Sequence, residues 1–110
     1  MAIYRNTPSI RIINGHEIKT SDSVVVTNKS YNTNGEFIVV VRDVDHCEVF
    51  LDSKTTDHIV IKSLTYVLIK ADSKIDDEFD EIEIGEGASV EFKNVGGIWY
   101  IISSDGLKGS

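Results

Sequence analysis

Apolar and polar residues alternate in short runs along most of the chain. The runs fall at 10–14, 23–27, 37–41, 46–51, 58–62, 66–70, 79–84, 89–93 and 98–102, and are rich in Val and Ile. Successive side chains of an extended strand point to opposite faces, so this period of two predicts half-buried strands. Turn residues separate the runs: Asn14-Gly15, Asn34-Gly35, Asp52-Ser53-Lys54, Asp72-Ser73-Lys74, Gly85-Glu86-Gly87 and Gly96-Gly97. Such residues supply positive φ or hydrogen-bond their own backbone. Gly96-Gly97 predicts a hairpin between the last two strands. Short strands at roughly 8–12-residue spacing predict an all-β protein, a compact antiparallel β-sandwich or barrel-like module. The acidic stretch 75–81 is the nearest approach to a helical period. The isoleucines Ile82 and Ile84 that follow make it a loop entering a strand.

Two runs break the alternation. Phe37-Ile38-Val39-Val40-Val41 and Ile98-Trp99-Tyr100-Ile101-Ile102 are apolar on both faces. A strand with one wet face alternates, so each of these needs cover on two sides. In a domain of this size, one sheet covers one face and a second subunit can cover the other. Each large apolar side chain hidden contributes about 1.5–3 kcal/mol, so a few per chain drive association. Phe37, Val39, Trp99 and Ile101 are the expected interface. The alternative is a central position in a two-sheet core with a loop over the second face. Trp99 and Tyr100 fall on opposite faces of one strand, one placed to anchor the core. In Glu81-Ile82-Glu83-Ile84 the carboxylates share the outer face, which also blunts edge pairing.

At 110 residues, with 41% hydrophobic and 26% charged, the composition is that of one soluble globular domain. No apolar run approaches the roughly 20 residues of a membrane helix. The first residues, Met-Ala-Ile-Tyr-Arg-Asn, hold no apolar stretch of secretory type. Net charge is −7, unevenly spread: residues 1–35 carry four Lys/Arg against two Asp/Glu, the remainder seven against sixteen. An acidic body repels phosphates, which argues against nucleic acid as a partner. The basic start can rest on an acidic protein surface. Pro8 precedes the first strand, so residues 1–8 read as an extended arm. Its residues Tyr4 and Arg5, with Arg11, are the expected docking contacts. The chain thus divides into 1–35, the arm and first strands; 36–104, the β-module; and 105–110, a tail.

Sites of chemistry are sparse. Cys47 is the one cysteine, so no internal disulfide forms, and a lone cysteine of this kind reads as a small buried hydrophobe. Asp45 and Cys47 share one strand face and His46 and Glu48 the other, so His46 and Cys47 cannot chelate together. His16 and His58 lack zinc-ligand spacing. The acidic stretch 72–86 does not follow the EF-hand pattern and reads as a solvated loop. Were a cation to bind, Asp72, Asp76 and Asp77 are the first ligands to test. There is no G-x-S-x-G elbow and no phosphate-binding glycine loop. The expectation is a protein without catalytic site or cofactor. Tyr4, Tyr31, Tyr66, Tyr100 and Trp99 offer aromatic surface for glycan recognition as an alternative role.

The order of elements in the second half resembles a β-rich module of tailed-bacteriophage fibre, tail and head-decoration proteins. The residues that carry it are Glu48-Val49-Phe50-Leu51-Asp52-Ser53, then His58-Ile59-Val60-Ile61-Lys62-Ser63-Leu64. Val67-Leu68-Ile69-Lys70-Ala71-Asp72 and Lys74-Ile75-Asp76-Asp77 follow. Gly87-Ala88-Ser89-Val90-Glu91-Phe92 and Gly97-Ile98-Trp99-Tyr100-Ile101-Ile102 close the unit. The resemblance covers residues 36–104. Asp52-Ser53 replaces the usual proline after the first strand, and Asp77 the usual glycine after the Ile-Asp pair. What it implies is a virion structural protein without catalytic activity, assembled in the bacterial cytoplasm. It also implies a homotrimer, docked on the major capsid protein or another virion protein. The alternative it carries is a host-glycan module of a tail fibre.

Overall fold

The structure, a computed structural model, describes residues 23–106 and a two-by-two ladder ahead of them. That ladder is β1 (Ile12–Ile13) with β2 (His16–Glu17). The body comprises β3 (Ser23–Val26), β4 (Ser30–Asn32), β5 (Ile38–Val41), β6 (His46–Leu51), β7 (His58–Ser63) and β8 (Tyr66–Ile75). β9 (Phe79–Ile84), β10 (Ser89–Val95) and β11 (Ile98–Asp105) complete it. The described residues contain no helix, so the protein is all-β. Nine strands fall on the expected runs, with β8 extending on to Ile75. The sequence pattern misses the two-residue β2 and also β4, whose three residues include one apolar side chain, Tyr31.

Chain order alternates between two stacks. β3, β5 and β7 pair in parallel in one, and β4, β6 and β8 in the other. Each circuit of the chain therefore lays one strand on each stack, as in a solenoid. The expectation of antiparallel pairing throughout is corrected: the sheet is mixed, with five parallel pairings. A parallel pair needs a crossover of a dozen or more residues. Here the strand on the opposite stack is that crossover, which strand spacing alone does not reveal.

After β8 the winding reverses. A tight turn brings Phe79 opposite Ile75, and β9 runs back along β8 with Ile82 beside Ile69 and Ile84 beside Val67. β10 then lies antiparallel on β7, with Val90 beside Ile61 and Phe92 beside Ile59. The expected hairpin at Gly96-Gly97, both at positive φ, leads into β11. Trp99 meets Ile75 of β8, and this joins the two stacks into one nine-stranded sheet, with β9 branching from β8. β3 and β4, ahead of residue 36, belong to the same sheet as the module after it.

Alternate residues of every strand meet between the stacks. One ladder runs Val24, Val39, Ile61, Val90; facing it are Cys47, Val67, Ile84 and Val49, Ile69, Ile82. Register puts like-sized aliphatic side chains beside one another, circuit after circuit. Phe92 and Trp99 plug the reversed end, edge to face with centroids 6.5 Å apart. Burial pushes the Cys47 thiol pKa up, as expected of an inert core cysteine.

One corner is polar but satisfied. The buried Thr33 hydroxyl accepts from the Asp52 amide at 2.9 Å and from the Thr56 hydroxyl at 3.0 Å. Thr56 in turn accepts from the Gly35 amide at 3.0 Å. Gly35 sits at φ 92°, where a side chain would also press on the Thr55 carbonyl at 3.2 Å.

Candidate functional site

The outer face of the β3–β5–β7 stack presents an apolar strip. Val25 lies beside Val40, and Ile38 beside Val60. Val25 is 59% exposed and Phe37, at the entry to β5, is 42% exposed; Ile38, Val40 and Val60 are half-buried. Lys62 bounds the strip next to Val40, and Glu91 bounds it next to Val60. The Phe37 ring stands edge-on to His58, with centroids 5.0 Å apart and planes at 87°. His58 pairs with Glu91, and the Ser103 hydroxyl donates to the other Glu91 oxygen at 2.9 Å. The His58 contact, then Ser103, hold the Glu91 carboxyl below its ordinary pKa.

The expected interface divides. Phe37 belongs to the strip, but Val39 and Trp99 are wholly enclosed within one chain, and Ile101 is half-buried against the core. Val39 and Trp99 are corrected to core residues. When both faces of a strand are apolar, parity does not say which one turns inward. Ladder register decides: Val39 stacks between Val24 and Ile61, which puts Ile38 and Val40 outside. In β11 a bulge opposite Glu91 and Phe92 leaves Ile102 without a partner, and it is exposed. Tyr4, Arg5 and Arg11 lie outside the described residues.

The three acidic residues singled out for a cation fasten the last strand instead. Asp72 accepts from the Trp99 indole at 3.2 Å and from the Ser53 amide and hydroxyl at 3.0 and 2.7 Å. Asp76 accepts from the Ile101 amide at 3.0 Å, and Asp77 lies 3.5 Å from the Tyr100 hydroxyl. Asp76 and Asp77 both adopt φ 58° in the β8–β9 turn. Among the described residues, no three His, Cys, Asp or Glu are grouped to hold a metal ion. Nothing in the residue pattern announced this latch, because its donors come from a strand 23 or more residues away.

Among the described residues, Ser103, Glu91 and His58 are the closest approach to a nucleophilic constellation. The carboxylate stands between the other two, so the serine hydroxyl donates to Glu91 and not to the imidazole. The imidazole, the base such a constellation uses, therefore does not reach the serine's proton. Among the described residues, the aromatic side chains do not gather into one platform. Trp99 is in the core, Tyr31 is half-buried with its hydroxyl on Glu36, Tyr66 opens β8, and Tyr100 of β11 stands by Asp77 in the turn that follows the far end of β8. A shallow cleft on the other stack is lined by Tyr31, Asn32, Glu48, Phe50 and Lys70. Its two charges face each other, with Lys70 Nζ 3.5 Å from Glu48.

The apolar strip is therefore the surface feature least explained by the fold itself. No protein-family model matches the chain, and the search of curated proteins found no match.

Proposed function

We propose that this chain is a non-enzymatic structural module of a bacteriophage particle, which self-associates as a homotrimer and docks on the major capsid protein or another virion protein. The observation that carries the reading is the strip of Val25, Phe37, Ile38, Val40 and Val60 on the outside of one stack. A strip of exposed and half-buried branched aliphatic side chains with a phenylalanine is an association surface in a protein with this much charge elsewhere. The element order that resembles phage fibre and decoration modules supports the particle as its setting. The action is mechanical: ladder hydrogen bonds and a reversed last circuit make a stiff unit. Tyr4, Arg5 and Arg11 are the residues assigned to docking.

Sedimentation of the purified protein tests this. The expected result is a trimer that persists in high salt, because apolar contacts are not screened. Val25→Lys with Val40→Lys should yield a monomer with an unchanged far-ultraviolet spectrum. A wild-type chain that stays monomeric at high concentration removes the proposal.

A further inference from the structure

Asn34 and Gly35 lie between β4 and β5, and both are exposed. Of the described asparagines, Asn28, Asn32, Asn34 and Asn94, only Asn34 precedes a glycine. Asparagine is chemically labile where the next backbone nitrogen can reach its side-chain carbon, since the two atoms close a five-membered ring. A glycine in the second place carries no Cβ to hinder that approach. The corner itself demands this glycine. Gly35 sits at φ 92°, and a Cβ there would stand 3.2 Å from the Thr55 carbonyl oxygen.

The fold also restrains the reactive nitrogen. The Gly35 amide donates to the Thr56 hydroxyl at 3.0 Å, and Thr56 in turn donates to the Thr33 hydroxyl at 3.0 Å. The Asn34 amide donates to Glu36 Oε1 at 2.6 Å. Thr33, Thr56 and Glu36 are all buried, so two consecutive amides are pinned from inside the protein. A nitrogen whose proton is held in a hydrogen bond must lose that bond before it can attack.

We infer that Asn34 is a site of spontaneous deamidation, that Thr56 holds the reaction back, and that the isoaspartyl product undoes the corner between β4 and β5. When the corner opens, the Gly35 nitrogen leaves Thr56, gives up its proton and attacks Asn34 Cγ. The N–Cγ bond forms and the Cγ–Nδ2 bond breaks. Nδ2 departs as ammonia, taking the proton that Gly35 gave up. Water then opens the cyclic imide at either carbonyl, giving aspartate or isoaspartate, with nothing oxidised or reduced. Both products add a negative charge close to the buried Glu36, in a chain already at −7. Isoaspartate also inserts a methylene into the main chain between the Asn34 and Gly35 amides. Glu36 and Thr56 then cannot both keep their present bonds. This inference stands whether or not the protein belongs to a particle.

Peptide mass mapping of the full chain, aged in mildly alkaline buffer with and without urea, tests the site. In urea the peptide containing Asn34 should acquire the mass of the acid and an isoaspartyl form. In the folded protein the same conversion should be slower by roughly tenfold or more, because it waits for local opening. Thr56→Val should speed conversion in the folded protein by roughly fivefold or more and leave the rate in urea unchanged. Thr56→Ser keeps the hydroxyl and should keep the wild-type rate. If the valine variant loses its far-ultraviolet spectrum, the two wild-type rates and the serine variant decide. No conversion in urea overturns the site. Equal wild-type rates in the two conditions overturn the restraint. A folded Thr56→Val variant that ages like the wild type overturns the role of Thr56.

Discussion

Asp77 shows how one residue reports on the fold. It occupies a left-handed position at φ 58° in the turn between β8 and β9. Left-handed backbone costs a side-chain-bearing residue about 1–2 kcal/mol, with Asp and Asn at the low end. Asp77→Gly should therefore leave stability unchanged or raise it, and Asp77→Val should lower it by about 1–2 kcal/mol. Urea unfolding decides, and equal midpoints for the two variants would refute the account. Asp72 makes a pH-dependent contribution. Burial opposes its charge, but the Ser53 donors and the Trp99 indole outweigh that and lower its pKa. A carboxyl depressed in the folded state stabilises fully above its unfolded pKa, and that stabilisation is lost as pH falls through the folded value. Asp72→Asn should therefore shrink the drop in stability between about pH 7 and about pH 3. An unchanged drop would show that Asp72 is not coupled to folding.

At the scale of elements, corners matter as much as strands. Thr33 and Thr56 belong to successive circuits, and their hydroxyls join across the corner with the Asp52 and Gly35 amides. Thr33→Val keeps the shape but strands the Asp52 amide and the Thr56 hydroxyl in a buried place. The expected cost is about 1–3 kcal/mol, read as a lower denaturant midpoint at constant slope. A loss no larger than that of an exposed Thr→Val substitution would show that water replaces the threonine. Strands were legible in the chain because alternation is a local property: β6, β7, β9 and β10 begin where the pattern begins. β4 was not, because three residues with one aromatic carry no period. Neither was the direction of pairing, since β5 and β7 read the same whether their neighbours run with them or against them.

For the whole molecule, winding explains both what is hidden and what is left bare. Two stacks facing each other enclose one apolar face of β5 completely, so the lone-sheet argument for Val39 and Trp99 fails. They are core residues because the chain returns over itself, not because another subunit arrives. The second apolar face of β5, however, does remain outside. The reason for expecting association survives, moved from Val39 and Trp99 to Ile38 and Val40 with Val25 and Val60. The trimer and its loss on Val25→Lys with Val40→Lys are predictions at this scale, because assembled copies shelter that face.

Local chemistry alone determined that the chain would be all strand and turn, that Gly96-Gly97 would close a hairpin, and that the outer charges of β9 would stay in water. Those outcomes depend on neighbours one to four residues apart, and the amino-acid order contains them. Tertiary structure decided the parallel register, the inward face of β5, and the use of Asp72, Asp76 and Asp77 as fasteners for β11. Each of these depends on which distant strand lies alongside, a matter of winding direction and register that no local pattern encodes.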